Sequence, residues 1–484
     1  MLFNSYEFIF FFLPFTFFIY FYLNKKHLTE ASKAFLVLAS LFFYSFFEIM
    51  NLPLLILSIV FNYFLGKKLA QDIPKSHFFH AKMLLTLGIS FNLLLLIYYK
   101  YMDFFIFNAN RAFETELPMM HVVLPLAISF YTFQQIAYLV DSYRKETTEY
   151  NFLNYASFVT FFPQLIAGPI VHHSEMMPQF SKTKNKLANY YNIALGLFIF
   201  SMGLFKKVVI ADSFGNWSRM GFDATHLNML EAWVASLSGT FQIYFDFSGY
   251  TDMAIGIALL FNIRLPINFF SPYKATSIQD FWRRWHITLS RFLKEYVYIP
   301  LGGNRKSEIR TYTNLFATFV LGGIWHGAGW PFLLWGILHG GALVIHRFWQ
   351  RLGLKMPSIL AWFITFNFIN ITWVFFNAGL HGGNFAVAKK VLLAMFTGEL
   401  VLPKPIADFL GDAVIVGYWS KLYASEFWLL LWLGAGFVIV LSFDNSIQWM
   451  KKFKTNVFYM VLTLFFFSAI FFLYKKSEFI YFNF

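Results

Sequence analysis

Apolar residues along this chain come in blocks instead of alternating. Runs approaching or filling a hydrocarbon core of about 30 Å recur near residues 6–23, 34–47, 53–66, 83–101, 121–140, 154–171, 190–211, 229–262, 311–325, 330–348, 358–377, 427–443 and 456–474. Continuous blocks predict helices, whereas a membrane barrel needs period-two segments of about ten residues. Several blocks are too short to cross alone, and 229–262 is long enough for a bent or double element. The pattern predicts an all-α polytopic membrane protein: one domain over residues 1–484, with roughly ten to twelve spans and some re-entrant pieces.

Basic residues punctuate the blocks and set an orientation. Lys25, Lys26 and Lys33 follow the first, and Lys67, Lys68, Lys75 and Lys82 follow the third. Lys182, Lys184 and Lys186 lie near the middle, and Lys451, Lys452 and Lys454 precede the last. The positive-inside rule makes these loops cytoplasmic and places the N terminus and the tail after Tyr474 outside. Residues 142–153 and 172–189 then share one side. The segment 154–171, interrupted by Pro163, Gly168 and Pro169, is therefore expected to be re-entrant. Met1–Leu23 has neither a basic n-region nor a small-residue cleavage site, and reads as the first membrane helix. The polar stretch 379–426 is expected to form an outer cap. The sequence has no internal repeat or soluble-domain linker.

Composition narrows the chemistry. Only 13% of residues are charged and 58% are hydrophobic, with 68 phenylalanines, against about 25% charged in soluble domains. The formal charge of +13 is accounted for by the basic loops, so no nucleic-acid partner is expected. With no cysteine in the chain, disulfides, thiolate catalysis and thiolate metal sites are excluded. His172 and His173 lack partners at ligand spacing, so no metal site is expected.

The densest polar region runs from Tyr244–Asp252 through Ser271–Ser277 to Asp280-Phe-Trp-Arg-Arg-Trp-His286. Ser277 is the predicted N-cap of a helix beginning near Ile278, with Asp280 in its first turn. On a helical wheel Asp280, Arg284, Thr288, Arg291 and Glu295 share one face, and Trp282, His286, Leu289 and Leu293 the other. This predicts one amphipathic helix at the cytoplasmic membrane surface. Arg283, Arg284 and Arg291 read either as snorkelling to lipid headgroups or as holding the phosphates of a nucleotide cofactor. Asp246 and Asp252, inside an apolar block, are expected to pair with Arg264 or Arg283. Pro300-Leu-Gly-Gly-Asn-Arg305 reads as a turn, too short for a phosphate-cradling loop. His339 and His346 can share a helix face, with nothing to identify a ligand.

His326 stands apart. It lies in Leu321-Gly-Gly-Ile-Trp-His-Gly-Ala-Gly-Trp330, where an ionisable group is costly and proton transfer is what imidazole does best. The surrounding glycines allow close approach by a ligand or a neighbouring helix. The simpler alternative is a packed histidine donating to a backbone carbonyl.

Taken in order, Phe162-Pro-Gln-Leu-Ile-Ala-Gly-Pro-Ile170, Tyr244–Asp252, Asp280–Ser290, Tyr298-Ile-Pro-Leu-Gly-Gly303, Gly323-Ile-Trp-His-Gly327 and Phe479-Ile-Tyr-Phe-Asn-Phe484 resemble the membrane-bound O-acyltransferase family. The branch resembled holds the bacterial alginate and peptidoglycan O-acetyltransferase membrane subunits and the D-alanyl transfer protein of teichoic acid modification. The likeness runs from mid-chain to the end; the first third matches in hydropathy and length.

The resemblance implies a ring of tilted helices around a central tunnel. His326 matches the family's active-site histidine and His286 a second position on the cytoplasmic side. It implies a cytoplasmic thioester donor, acetyl-CoA, with its phosphates near Arg283, Arg284 and Arg291. The acetyl group would pass to a periplasmic SGNH-type esterase-like partner and on to a cell-surface glycan, with peptidoglycan favoured over alginate or another exopolysaccharide. The aromatic tail looks like an acyl-carrying tail, with Tyr481 as the ester-forming hydroxyl, although Phe-Asn-Phe stands where many relatives have Phe-Gln-Phe. These expectations place the protein in the bacterial inner membrane. The rival from another class is a secondary transporter or flippase for a glycan precursor, with Asp246, Asp252 and His326 as a proton relay. No inverted repeat supports it.

Overall fold

The computed structural model describes residues 1–71, 78–147, 151–382, 384–401, 426–473 and 480. Every regular element among them is a helix. By contact the chain divides into two compact units: Met1–Phe205 with Gly249–Ile267 and Met450–Phe484, and Lys206–Ser248 with Asn268–Trp449.

Six helices among the described residues are long and apolar enough to cross a membrane: Glu7–Lys25, Ile49–Ala70, His80–Phe113, Tyr190–Asp223, Trp330–Arg351 and Ser358–Leu380. A seventh is reached if Trp428–Ser442 and Ser446–Lys452, which meet at 53°, form one broken span. The expected ten to twelve is not reached by this measure, for two physical reasons. Thr29–Ser45 and Ile128–Tyr143 have 17 and 16 residues, about 25 Å at 1.5 Å per residue, short of a full crossing. Met229–Leu260 and Glu308–His326 are long enough but carry acidic and hydroxyl side chains among their apolar ones.

In the first unit the phenylalanines do the packing. Phe3, Phe8, Phe43 and Phe162 are almost wholly buried, and Phe8, Phe12, Phe43 and Phe162 meet at ring-centroid distances of 5.2–6.1 Å. Two buried amides link Ile49–Ala70 to His80–Phe113, with Asn62 and Asn92 exchanging hydrogen bonds of 3.2 and 2.7 Å. The segment expected to be re-entrant is a broken helix. Asn151 caps Phe152–Thr160 through Leu153 and Asn154. The chain then turns at Phe161, and Pro163 opens Phe162–Leu165. The Phe162 amide, left without a helical acceptor, donates to Ser40 Oγ at 3.2 Å. Nine residues reach only about 14 Å, too little to cross.

The second unit holds the polar motifs. Glu308–His326, Trp330–Arg351 and Ser358–Leu380 pack in sequence order. The first two touch through glycines. A methyl on Gly323 would lie 2.7 Å from Gly336 Cα and 2.6 Å from the Phe332 carbonyl oxygen, so only hydrogen fits at this crossing. Gly323, three residues before His326, therefore serves a neighbouring helix. A second correction concerns Asp246. Its partner is neither Arg264 nor Arg283 but Lys207, at 2.6 Å, and Lys207 also holds Asp212 at 2.7 Å. Lys207 rides on the wide helical turn Lys206–Ala211, which aims its chain inward, and burial compels such charges to pair.

Candidate functional site

His326 is the last residue of Glu308–His326 and is 2% exposed. Aromatic rings enclose its imidazole: Trp325 at 4.9 Å, Trp335 at 5.0 Å and Phe376 at 5.3 Å between centroids, all at steep angles. The helix crossing at Gly323 and Gly336 brings Trp335 into this wall. Trp335 stacks in turn on Trp373 at 5.7 Å. A buried aromatic surround strengthens any charge interaction that develops beside an imidazole.

The region containing His286 is built differently from the single helix the wheel suggested. Ser277 does cap Ile278–Arg284, accepting from the Asp280 amide at 3.1 Å. The helix then stops, and a second one, Ile287–Leu293, begins after His286. His286 occupies the left-handed region, φ 42° and ψ 54°, which interrupts the helical hydrogen bonding and separates the two halves of the proposed face. The segment around Asn268 supplies the missing partners. Ile287 N–H donates to the Asn268 carbonyl at 3.0 Å, and Phe270 N–H to the Arg284 carbonyl at 2.9 Å. The Asn268 side-chain oxygen takes the Thr288 amide at 3.2 Å, the Thr288 hydroxyl at 3.0 Å and His286 Nδ1 at 3.1 Å. His286 is fully buried, with Phe247 at 4.8 Å and Trp325 at 6.4 Å. His286 and His326 thus pack on the same indole, that of Trp325.

The three arginines separate. Arg284 is tied to Asp280 one turn back, at 2.8 Å. Arg283 lines a cavity of about 600 Å³ together with Lys294, Arg305 and Arg347. Arg291 is outside that lining. Gly302 and Gly303, at φ 113° and 56°, bring the Gly-Gly-Asn-Arg turn into the cavity wall. Among the described residues the lining holds four cationic side chains and no carboxylate. The wheel missed Lys294, Arg305 and Arg347; the Lys/Arg excess over 294–310 was the available signal for the first two. Thr318 and Phe319 also line the cavity, seven to eight residues before His326 on the same helix, about 11 Å away. Trp282 lines it too and packs on Trp335 at 5.7 Å.

Trp282 also fixes His339. Its indole N–H donates to His339 Nδ1 at 3.1 Å, so the single proton of neutral His339 sits on Nε2 and goes to the Thr372 hydroxyl at 3.1 Å. Both nitrogens are used, and His339 holds the wall together. His172 is paired with Asp141 at 3.3 Å and His173 with Thr147 at 3.0 Å. Tyr481 lies outside the described residues.

Residues 10–381 match the model of the membrane-bound O-acyltransferase family. The chain is 49% identical to a peptidoglycan O-acetyltransferase of Helicobacter pylori, the alignment covering all of this chain and 98% of that protein. It is 38% identical to a Pseudomonas aeruginosa protein named probable alginate O-acetylase, over 82% of this chain and 75% of the relative. A teichoic acid D-alanyltransferase of Bacillus subtilis is 29% identical over 52% of this chain and 68% of its own. The several membrane-length helices and these matches agree: the chain is a multi-pass O-acyltransferase and belongs to the membrane-bound O-acyltransferase family.

Proposed function

We propose that this O-acyltransferase takes an acetyl group from acetyl-CoA on the cytoplasmic face of the bacterial inner membrane and sends it outward for O-acetylation of peptidoglycan. The observation that carries the donor assignment is the cationic cavity joined to His326 by Trp282 and Trp335. Phosphates attract several cations at once, and an extended pantetheine arm is long enough to carry a thioester from such a cavity to His326. In this reading Arg283, Lys294, Arg305 and Arg347 hold the phosphates. Arg284 is engaged by Asp280, and Arg291 serves the membrane surface.

His326 accepts the proton of the attacking hydroxyl as its oxygen adds to the thioester carbonyl. The C–S bond then breaks, and the proton passes to the departing sulfur. The products are the O-acetyl ester and the CoA thiol, and the step needs no metal because thiolate leaves readily. The hydroxyl is that of Tyr481 or of a bound acceptor. From there the acetyl group passes to a periplasmic SGNH-type esterase-like partner. The similarity to the Helicobacter pylori protein favours peptidoglycan. The transporter reading used Asp246 as a relay group; its pairing with Lys207 and the family membership replace it.

His326→Ala is the test. Purified variant should lose acetyl transfer by about a thousandfold, the scale of a general base, with its helical content intact; an unchanged rate ends the assignment. For Tyr481, intact-protein mass spectrometry after incubation with labelled acetyl-CoA should show an alkali-labile adduct that Tyr481→Phe abolishes. Labelling that survives in the variant places the carrier elsewhere.

A further inference from the structure

Asn268 has no place in the chemistry above, yet its two oxygens meet donors from His286, Ile287 and Thr288. Its backbone oxygen takes the Ile287 amide, and its side-chain oxygen takes three donors around His286. One of these, the Thr288 backbone N–H, can only donate. The atom facing it must therefore be the amide oxygen and not the NH2 group, which fixes the orientation of the Asn268 side chain. An amide oxygen can only accept, so at 3.1 Å His286 Nδ1 must be the donor. A neutral imidazole carries one N–H, and here it is spoken for.

We propose that Asn268 is a positioning residue that holds His286 as the Nδ1–H tautomer, so that any group meeting Nε2 meets an acceptor. His286 is thereby excluded as a donor to the thioester oxyanion. This rests on the proposed acyl transfer at His326, whose Trp325 wall His286 shares. Burial supports the neutral state by lowering the imidazole from 6.5 to about 3. Among the described residues Asn268, Phe247 and Trp325 face the ring, and His326 packs on the same Trp325 indole. The left-handed backbone at His286, unusual for a residue with a side chain, is held by the same Asn268 contacts. One residue thus sets both the ring's position and its proton.

Nitrogen NMR on full-length protein labelled with 15N-histidine reads the tautomer without reference to activity, the His286 signals being identified by their loss in His286→Asn. The expected result is a protonated Nδ1 and an unprotonated Nε2 at neutral pH; a proton on Nε2 overturns the proposal. Asn268→Asp keeps an accepting oxygen and adds a charge that favours imidazolium. Its acetyl-transfer rate should fall by about tenfold per pH unit once the ring titrates, at a higher pH than in the parent chain; superimposable profiles count against the proposal. If the tautomer is as expected but His286→Asn transfers acetyl at the full rate, the site assignment fails while the role of Asn268 in setting the tautomer stands.

Discussion

Two imidazoles in the same unit, His286 and His339, are equally buried and hold opposite tautomers. At His339 an indole N–H occupies Nδ1, and the proton sits on Nε2 and reaches Thr372. At His286 an amide oxygen faces Nδ1 and claims the proton there. The first ring is a strut between Trp282 and Thr372; the second, with its proton held on Nδ1, packs on the indole it shares with His326. Burial alone does not tell a structural histidine from a functional one. The type of group on the first nitrogen decides what the second can do.

The sharpest way to break this comparison is to replace each ring. His286→Asn should cost about a hundredfold in acetyl transfer, within the usual range for a group acting on a transferred proton, with little change in thermal stability. His339→Leu should do the reverse. It strands the Trp282 and Thr372 polar groups and lowers stability by about 1–3 kcal/mol for an unmatched buried partner, while each folded molecule keeps most of its rate. Matching phenotypes would erase the distinction. The arginines give the next largest effect. Arg305→Ala or Arg347→Ala should raise the KM for acetyl-CoA by about tenfold with kcat held, the signature of lost ground-state binding, whereas Arg284→Ala should leave it nearly unchanged. Equal effects from all three would dissolve the cavity as a phosphate site. Smallest is the response to acid. The folded pKa of His286, about 3, is below its ordinary 6.5. Its contribution is therefore complete above pH 6.5 and is lost as pH falls toward 3, because the unfolded chain takes up a proton that the native ring refuses. Thermal melts should show a decline over this window of at most about 1.4 kcal/mol per pH unit, and His286→Asn should flatten it.

Much of this was legible along the chain wherever the cause is local. Ser277 and Asp280 announced a helix start three residues apart, and the structure builds it. Pro163 announced the break after Thr160. His326 stood out through its glycines and tryptophans, and the ordered motifs identified the family. What the chain hid depends on partners far away in sequence. The helix break at His286 is made by Asn268, eighteen residues upstream, so a wheel drawn through 278–295 could not show it. Asp246 met Lys207, thirty-nine residues back, because a wide turn re-aimed that lysine. The separation of Arg283 from Arg284 was within reach, since Asp280 and Arg284 have the four-residue spacing of a helical ion pair.

The contact of Gly323 with Gly336 has a consequence for precision. Where helices meet through long side chains, each rotamer is a small hinge, and the wall of a site wanders as those hinges turn. Here the two backbones touch at their α-carbons within one turn of His326, leaving no rotamer between them. The imidazole and the opposing indole of Trp335 are thus referenced to one shared mechanical datum, and their spacing is as steady as the helices themselves.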